Sequence, residues 1–243
     1  MSTRRSALNA LASAAAMSAF PTSVFAQAAS DFPSKPVRYI VPFAPGGQTD
    51  VMARLIGQQT GIEFKQPITV DNRAGASGNL GADLAAKSPP DGYTWLAITL
   101  AHAVNQSLFS NLPYSLEKNL TAVAHLASSP LVLVVNENNP AKNLAEFLAQ
   151  ARAKRLSGGS SGNGTPPHLG LELLALNAKL EVTHIPYKGG APSLNDLLGG
   201  QIDFIVSNLP EASVHVKAGK LRALAITSAA RHPLLPDVPT FNE

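Results

Sequence analysis

Residues 37–57 read VRYIVPFAPGGQTDVMARLIG, and this stretch decides the fold. Residues 37–41 are a short apolar run, rich in β-branched and aromatic side chains, of the length a strand needs. Pro42 ends that run, and Pro45-Gly46-Gly47 then reads as loop. Apolar residues return at helical spacing at Val51, Met52, Leu55 and Ile56, with Thr49 or Asp50 as N-cap and Gly61 as the stop. The unit is strand, glycine-rich loop, helix.

Working outward, the same unit recurs. A second strand covers 68–70, a glycine-rich turn and a helix over 79–87 follow, and a third strand covers 93–100. A further set places strands over 131–135, 182–186, 202–206 and 221–227, with helices over 143–155, 168–179 and 191–198 and a loop over 158–167. Strands alternating with helices predict an α/β protein with parallel sheets covered by helices, here as two units side by side.

The ends of the chain carry a different signal. Arg4 and Arg5 precede an apolar stretch over 7–20, Pro21 breaks it, and Val24-Phe25-Ala26 suits signal-peptidase cleavage, so residues 1–26 read as a secretory leader. The leader is too short to stay as a membrane span, and no later segment reaches that length, so no stable membrane insertion is expected. Without the leader, the chain holds 17 basic and 16 acidic residues, and no Lys/Arg run suits nucleic acid. The absence of cysteine excludes disulfides, thiolate metal sites and thiol nucleophiles.

Four glycine-bearing loops follow strand ends and run into helices: 43–50, 73–79, 160–168 and 187–192. Glycine lets the backbone approach a ligand, and N–H groups at helix starts are unpaired donors that hold anions without a charged side chain. Such loops fall beyond the carboxyl ends of the strands, where open α/β sheets bind ligands. Together they predict a cradle for a small carboxylate. Three sharper motifs fall short of chemistry. GGSSG at 158–162 matches the hydrolase elbow around Ser160, but residues 154–157 make a poor preceding strand. Gly75, Gly78 and Gly81 have the wrong spacing for a dinucleotide loop, and His168 with Glu172 supplies two metal ligands where a site needs more. No catalytic residue, metal or cofactor is expected.

Six motifs then occur in order: PFAPGG at 42–47 with Thr49-Asp50, DNR at 71–73 with GASGN at 75–79, PDGYT at 90–94, SSGNGT at 160–165 with His168-Leu169, PYKG at 186–189 and LPDVPT at 235–240. They resemble the Bug-type extracytoplasmic solute receptors of tripartite tricarboxylate transporters, over nearly all of the chain after the leader. The resemblance implies a type II periplasmic-binding fold whose two lobes close on a ligand between them, a first lobe over 31–124, a second over 125–220, and a return toward the first over 221–243. Relatives continue past the last motif, so a C-terminally truncated receptor is expected. The resemblance implies ligand contacts from Phe43, Ala44, Pro45, Gly46, Gly47 and Thr49, and from Ala76, Ser77, Gly78 and Asn79. From the opposite lobe it implies Asn163, Gly164, Thr165, His168, Tyr187, Lys188 and Asn208. It further implies a periplasmic monomer that captures a small organic carboxylate for membrane transporter subunits, without chemistry. A sensor feeding a membrane kinase and a secreted hydrolase using Ser160 are the competing readings.

Overall fold

A computed structural model describes residues 32–243; the leader read at 1–26 lies outside them. Strand β1 (Val37–Val41) is the middle of a three-stranded parallel sheet, flanked by β2 (Ile68–Asn72) and β3 (Thr94–Leu96). Val41 pairs in register with Asn72, so the loops after β1 and β2 leave the same edge side by side. Helix α1 (Gln48–Phe64) packs over β1 and β2, and α2 (Asn79–Ala86) follows a single 3-10 turn over Ala76–Gly78. Helices α3 (Leu100–Leu108) and α4 (Leu116–Asn119) complete this lobe.

Three local expectations are corrected. Gly47, not Thr49 or Asp50, occupies the N-cap of α1, because the Asp50 carboxylate turns back to accept from Gly46 N–H. Gly61 lies inside the helix, which ends where Lys65 adopts φ 51°. The strand expected over 93–100 is only three residues long. Thr99 and His102 form a capping box that starts α3 inside that span.

The second sheet has five strands in the order β6-β5-β7-β4-β8: β4 (Leu131–Asn136), β5 (Leu156–Ser160), β6 (Val182–Pro186), β7 (Phe204–Asn208) and β8 (Leu221–Ile226). Strand β5 runs parallel to β6 and β7, while β4 runs antiparallel to β7 and β8. Helices α5 (Leu144–Ala153), α6 (Pro166–Ala178), α7 (Gly190–Leu198) and α8 (Leu209–Lys217) cover it. Val132 and Val134 join one core with Leu194, Leu197 and Leu209. Leu133 and Val135 join another with Phe147, Leu171 and Phe204. That is the alternation of a strand buried on both faces, and it explains why β4 reads as an unbroken apolar run.

Two larger corrections concern this sheet. Residues 154–157 do lead into a strand: Leu156–Ser160 pairs on both sides despite having two glycines. The segment 221–243 does not return to the first sheet. Strand β8 is the edge of the second sheet, and the tail stays on it through Ile226 N–H to Pro239 O and Phe241 N–H to Ile226 O. The strip Leu221, Leu224 and Ile226 is buried in the second lobe's cores, which is the reason. The first lobe's core is smaller, built on Tyr39, Val41, Ala53 and Ala97. On α1, Val51 and Leu55 stay 58 and 55 % exposed, although their spacing with Met52 and Ile56 reads as a core-facing stripe, and Ile62 is 65 % exposed. No helix among the described residues is long and apolar enough to cross a membrane.

Candidate functional site

A cleft of about 220 Å3 opens beyond the carboxyl ends of β1, β2, β5 and β6. That volume is roughly seven waters' worth of liquid, a space for a molecule of few heavy atoms. One wall is Phe43 and Gly75, Ala76, Ser77 and Gly78; the other is Ser161, Gly162, Asn163, Pro186, Tyr187 and Lys188. Both walls therefore come from the quoted loops.

The first wall is set by its backbone. Gly75, Ala76, Ser77 and Gly78 have φ of 146°, 46°, 56° and 91°, a left-handed run that includes two non-glycine residues. Each of these two costs on the order of 1–3 kcal/mol, which the surroundings must offset. The support is a buried network behind the wall. Asn105 Nδ2 donates to Ser77 O at 3.1 Å and to Asn79 Oδ1 at 2.8 Å, and Tyr114 O–H donates to Asn79 Oδ1 at 2.7 Å. His102, fully buried, lies under Gly78 with its ring 6.1 Å from Phe43, and burial holds its imidazole below its usual pKa. No side chain caps α2, but Asn79 N–H bonds Ala76 O and Leu80 N–H reaches Gly75 O, so what this helix start turns toward the cleft is mainly its partial positive charge.

The loop after β1 is pinned from the side. Asn72 Nδ2 donates to Phe43 O and to Asp50 Oδ1, while Arg54 bonds both Asp50 and Asn72. Burial pushes the Asp50 carboxyl up, but Arg54, Gly46 N–H and Asn72 outweigh it and hold it below the usual range. Ala44 N–H donates to Lys188 O at 2.9 Å, a main-chain bond between the lobes.

The second wall hangs on β5. Ser160 Oγ lies 2.7 Å from His184 Nε2 and accepts from Gly162 N–H at 3.1 Å. His184 stacks on His168 with ring centres 4.1 Å apart, and desolvation, then the His168 charge, lowers its pKa to about 4. Gly164 N–H donates to His168 Nδ1, and Thr165 Oγ1–H donates to Gly162 O at 2.6 Å. Tyr187 O–H donates to Asp196 at 2.6 Å, outside the cleft; burial and that carboxylate push the phenol up to about 12.

Of the expected contacts, Phe43, Ala76, Ser77, Gly78, Asn163, Tyr187 and Lys188 line the cleft. Asn79, Gly164, Thr165 and His168 stand behind its walls, holding them. Ala44 stitches the lobes, Pro45 and Gly46 are exposed, and Gly47 and Thr49 begin α1 beside the seam. Asn208 caps α8 away from the cleft lining. Sequence reasoning missed the supports Asn105, Tyr114, His102 and His184, which sit on other elements with no local mark.

His168, Glu172 and His184 bring three ligand atoms within 4.8 Å of one another. The rings nevertheless stack face to face, so their in-plane lone pairs run side by side rather than toward one ion. His168 Nδ1 and His184 Nε2 are also already bonded. Ser160 is fully buried, so the hydroxyl of the elbow motif is closed to a substrate.

The profile of the family described as "Tripartite tricarboxylate transporter family receptor" matches residues 52–243. Protein BugT of Bordetella pertussis is 40 % identical over 219 residues, covering 88 % of this chain and 67 % of that protein. The structure of Rpa4515 from R. palustris with adipate superposes with TM-score 0.83 at 37 % identity, covering 86 % of this chain and 71 % of the other. MatC from Rhodopseudomonas palustris with bound malate superposes with TM-score 0.81 at 34 % identity, covering 87 % and 73 %. The chain thus spans about two thirds of the length of its curated relatives.

Proposed function

Because this chain belongs to the tripartite tricarboxylate transporter receptor family, we propose that it is a solute-binding receptor that closes its two lobes on a small dicarboxylate. The observation that carries the reading is the strained run Gly75–Gly78, which lines the cleft and opens directly into an uncapped helix start. A carboxylate is the ligand that the positive end of a helix favours. The malate and adipate seen on two relatives are molecules of the size this cleft admits. Lys188 at the opposite wall is the cation for a second carboxylate.

Both walls come from one chain, which supports action as a monomer. Closure would present a joint surface of both lobes to the membrane subunits of the transporter. The sequence reading of 1–26 as a leader supports delivery to the periplasm. On this reading the bound molecule leaves unchanged, and the burial of Ser160, the serine of the elbow motif, supports it.

Thermal unfolding against malate, adipate, acetate and a diamine of matched length tests this. A dicarboxylate at 100 times its Kd adds about 2.7 kcal/mol to the folded state, a rise of about 5–10 °C for a chain of this size. No shift with any dicarboxylate, or an equal shift with the diamine, would sink the proposal. Proton NMR of the recovered ligand checks that it is chemically intact.

A further inference from the structure

Glu211 lies outside the cleft lining, yet its carboxylate spans the seam between the lobes. It belongs to the first turn of α8 in the second lobe, and its Oε1 accepts from Gln48 N–H, at the start of α1 in the first lobe. Its Oε2 is sealed from water and meets no donor at hydrogen-bond geometry, although the Asn208 side chain at the N-cap of α8 lies close enough to favour the charged carboxylate. Gly190, the first residue of α7, packs so closely on this carboxylate that an added Cβ would overlap Oε2. A Cβ at Gly47, the N-cap of α1, would lie 3.3 Å from Oε1. Three helix starts therefore meet one carboxylate: α1 from one lobe, α7 and α8 from the other. No side chain caps any of the three in the ordinary way.

Each helix start carries partial positive charge and unpaired N–H groups, so a single anion among three of them is favoured by all three. Helix starts that meet across a seam without such an anion would set like partial charges against each other. The neighbouring bond from Ala44 N–H to Lys188 O closes the same seam from main-chain atoms.

We propose that Glu211 is the closure latch of this protein: a built-in anion that holds the start of α1 against the second lobe and sets how far the lobes are closed before any ligand arrives. The inference rests on the reading of the chain as a two-lobed binder that opens and closes. Glu211 is a positioning residue. It acts on ligand binding only through the balance of open and closed forms, because a binder selects whichever form it contacts better.

The chain has no cysteine, so Glu63→Cys on α1 and Arg152→Cys on α5, both exposed, put one spin label on each lobe. Pulsed electron resonance on the ligand-free protein then reads the distance between lobes. Glu211→Ala should move the closed-to-open ratio toward open by roughly tenfold, the scale of one buried charge-assisted hydrogen bond. Gly190→Ala, which displaces the carboxylate from the other side, should do the same and add nothing further in the Glu211→Ala background. Glu211→Gln, of equal size, keeps an acceptor for Gln48 N–H and loses only the charge, and a shift of roughly threefold is expected. It decides the matter if the alanine variant does not fold. Unchanged distances, a shift toward closure, or a full Gly190→Ala effect without Glu211 would overturn the latch. None of these measurements uses a ligand, so failure of dicarboxylate binding and failure of the latch are separate results.

Discussion

Ser160 ends β5 with its hydroxyl against His184 Nε2, and Gly162 N–H returns to that same oxygen. The cleft wall at Ser161–Asn163 is thus hung from an imidazole that has to stay neutral. Desolvation and the neighbouring His168 bring the His184 pKa down to about 4 in the folded chain, against 6.5 when exposed. Between those values the unfolded chain binds the extra proton and the folded chain does not. Stability from this group is present above pH 6.5 and is lost as pH falls toward 4. Melting temperature followed from pH 7 to pH 4 should fall across that window, and the fall should flatten in His184→Gln. An unchanged slope in the variant would assign the acid loss to other groups. Nothing in the local sequence marks this histidine. Its role comes from register, since β5 and β6 pair Gly158 with His184 and bring the ring beside the strand end.

At the level of elements, β5 carries the weakest local signal. Leu156, Ser157, Gly158, Gly159 and Ser160 show neither an apolar run nor alternation, so periodicity is silent. The glycines are there because the neighbours leave no room: a Cβ at Gly158 would lie 2.5 Å from Leu171 Cδ1 and 2.7 Å from Phe204 Cζ. Gly158→Ala should therefore cost about 1–3 kcal/mol through overpacking, read as a lower urea midpoint at unchanged slope. A midpoint within error of the parent would mean that α6 and β7 yield freely. By contrast, β4 is legible, because a strand buried on both faces must be apolar almost throughout. The binding loops are legible for a related reason, since glycine before a helix start is visible in one sequence. Asn105 and Tyr114 are not, because their partners lie 26 and 35 residues away.

Across the whole molecule the two lobes are unequally furnished. The second sheet is sandwiched between two large apolar clusters, while the first rests on a cluster of four buried residues and leaves Val51, Leu55 and Ile62 of α1 in water. Local opening costs least where few apolar contacts must break. Amide hydrogen exchange should thus be faster in β1–β3 than in β4, β5 and β7, and uniform protection across both sheets would refute that ordering. The resemblance implies a return of 221–243 toward the first lobe, yet β8 joins the second sheet. Burial of Leu221, Leu224 and Ile226 decides that.

The left-handed run at Gly75–Gly78 has a consequence for how such a protein changes over generations. Its donors belong to the main chain, and its shape is held by Asn79, Asn105 and Tyr114, which lie buried behind the wall. On the proposed reading, a substitution at Asn163, Tyr187 or Lys188 changes what the far wall accepts and leaves that main-chain surface as it is. Taste for a new molecule would then drift on one side while the handshake proposed for its acid group is inherited intact.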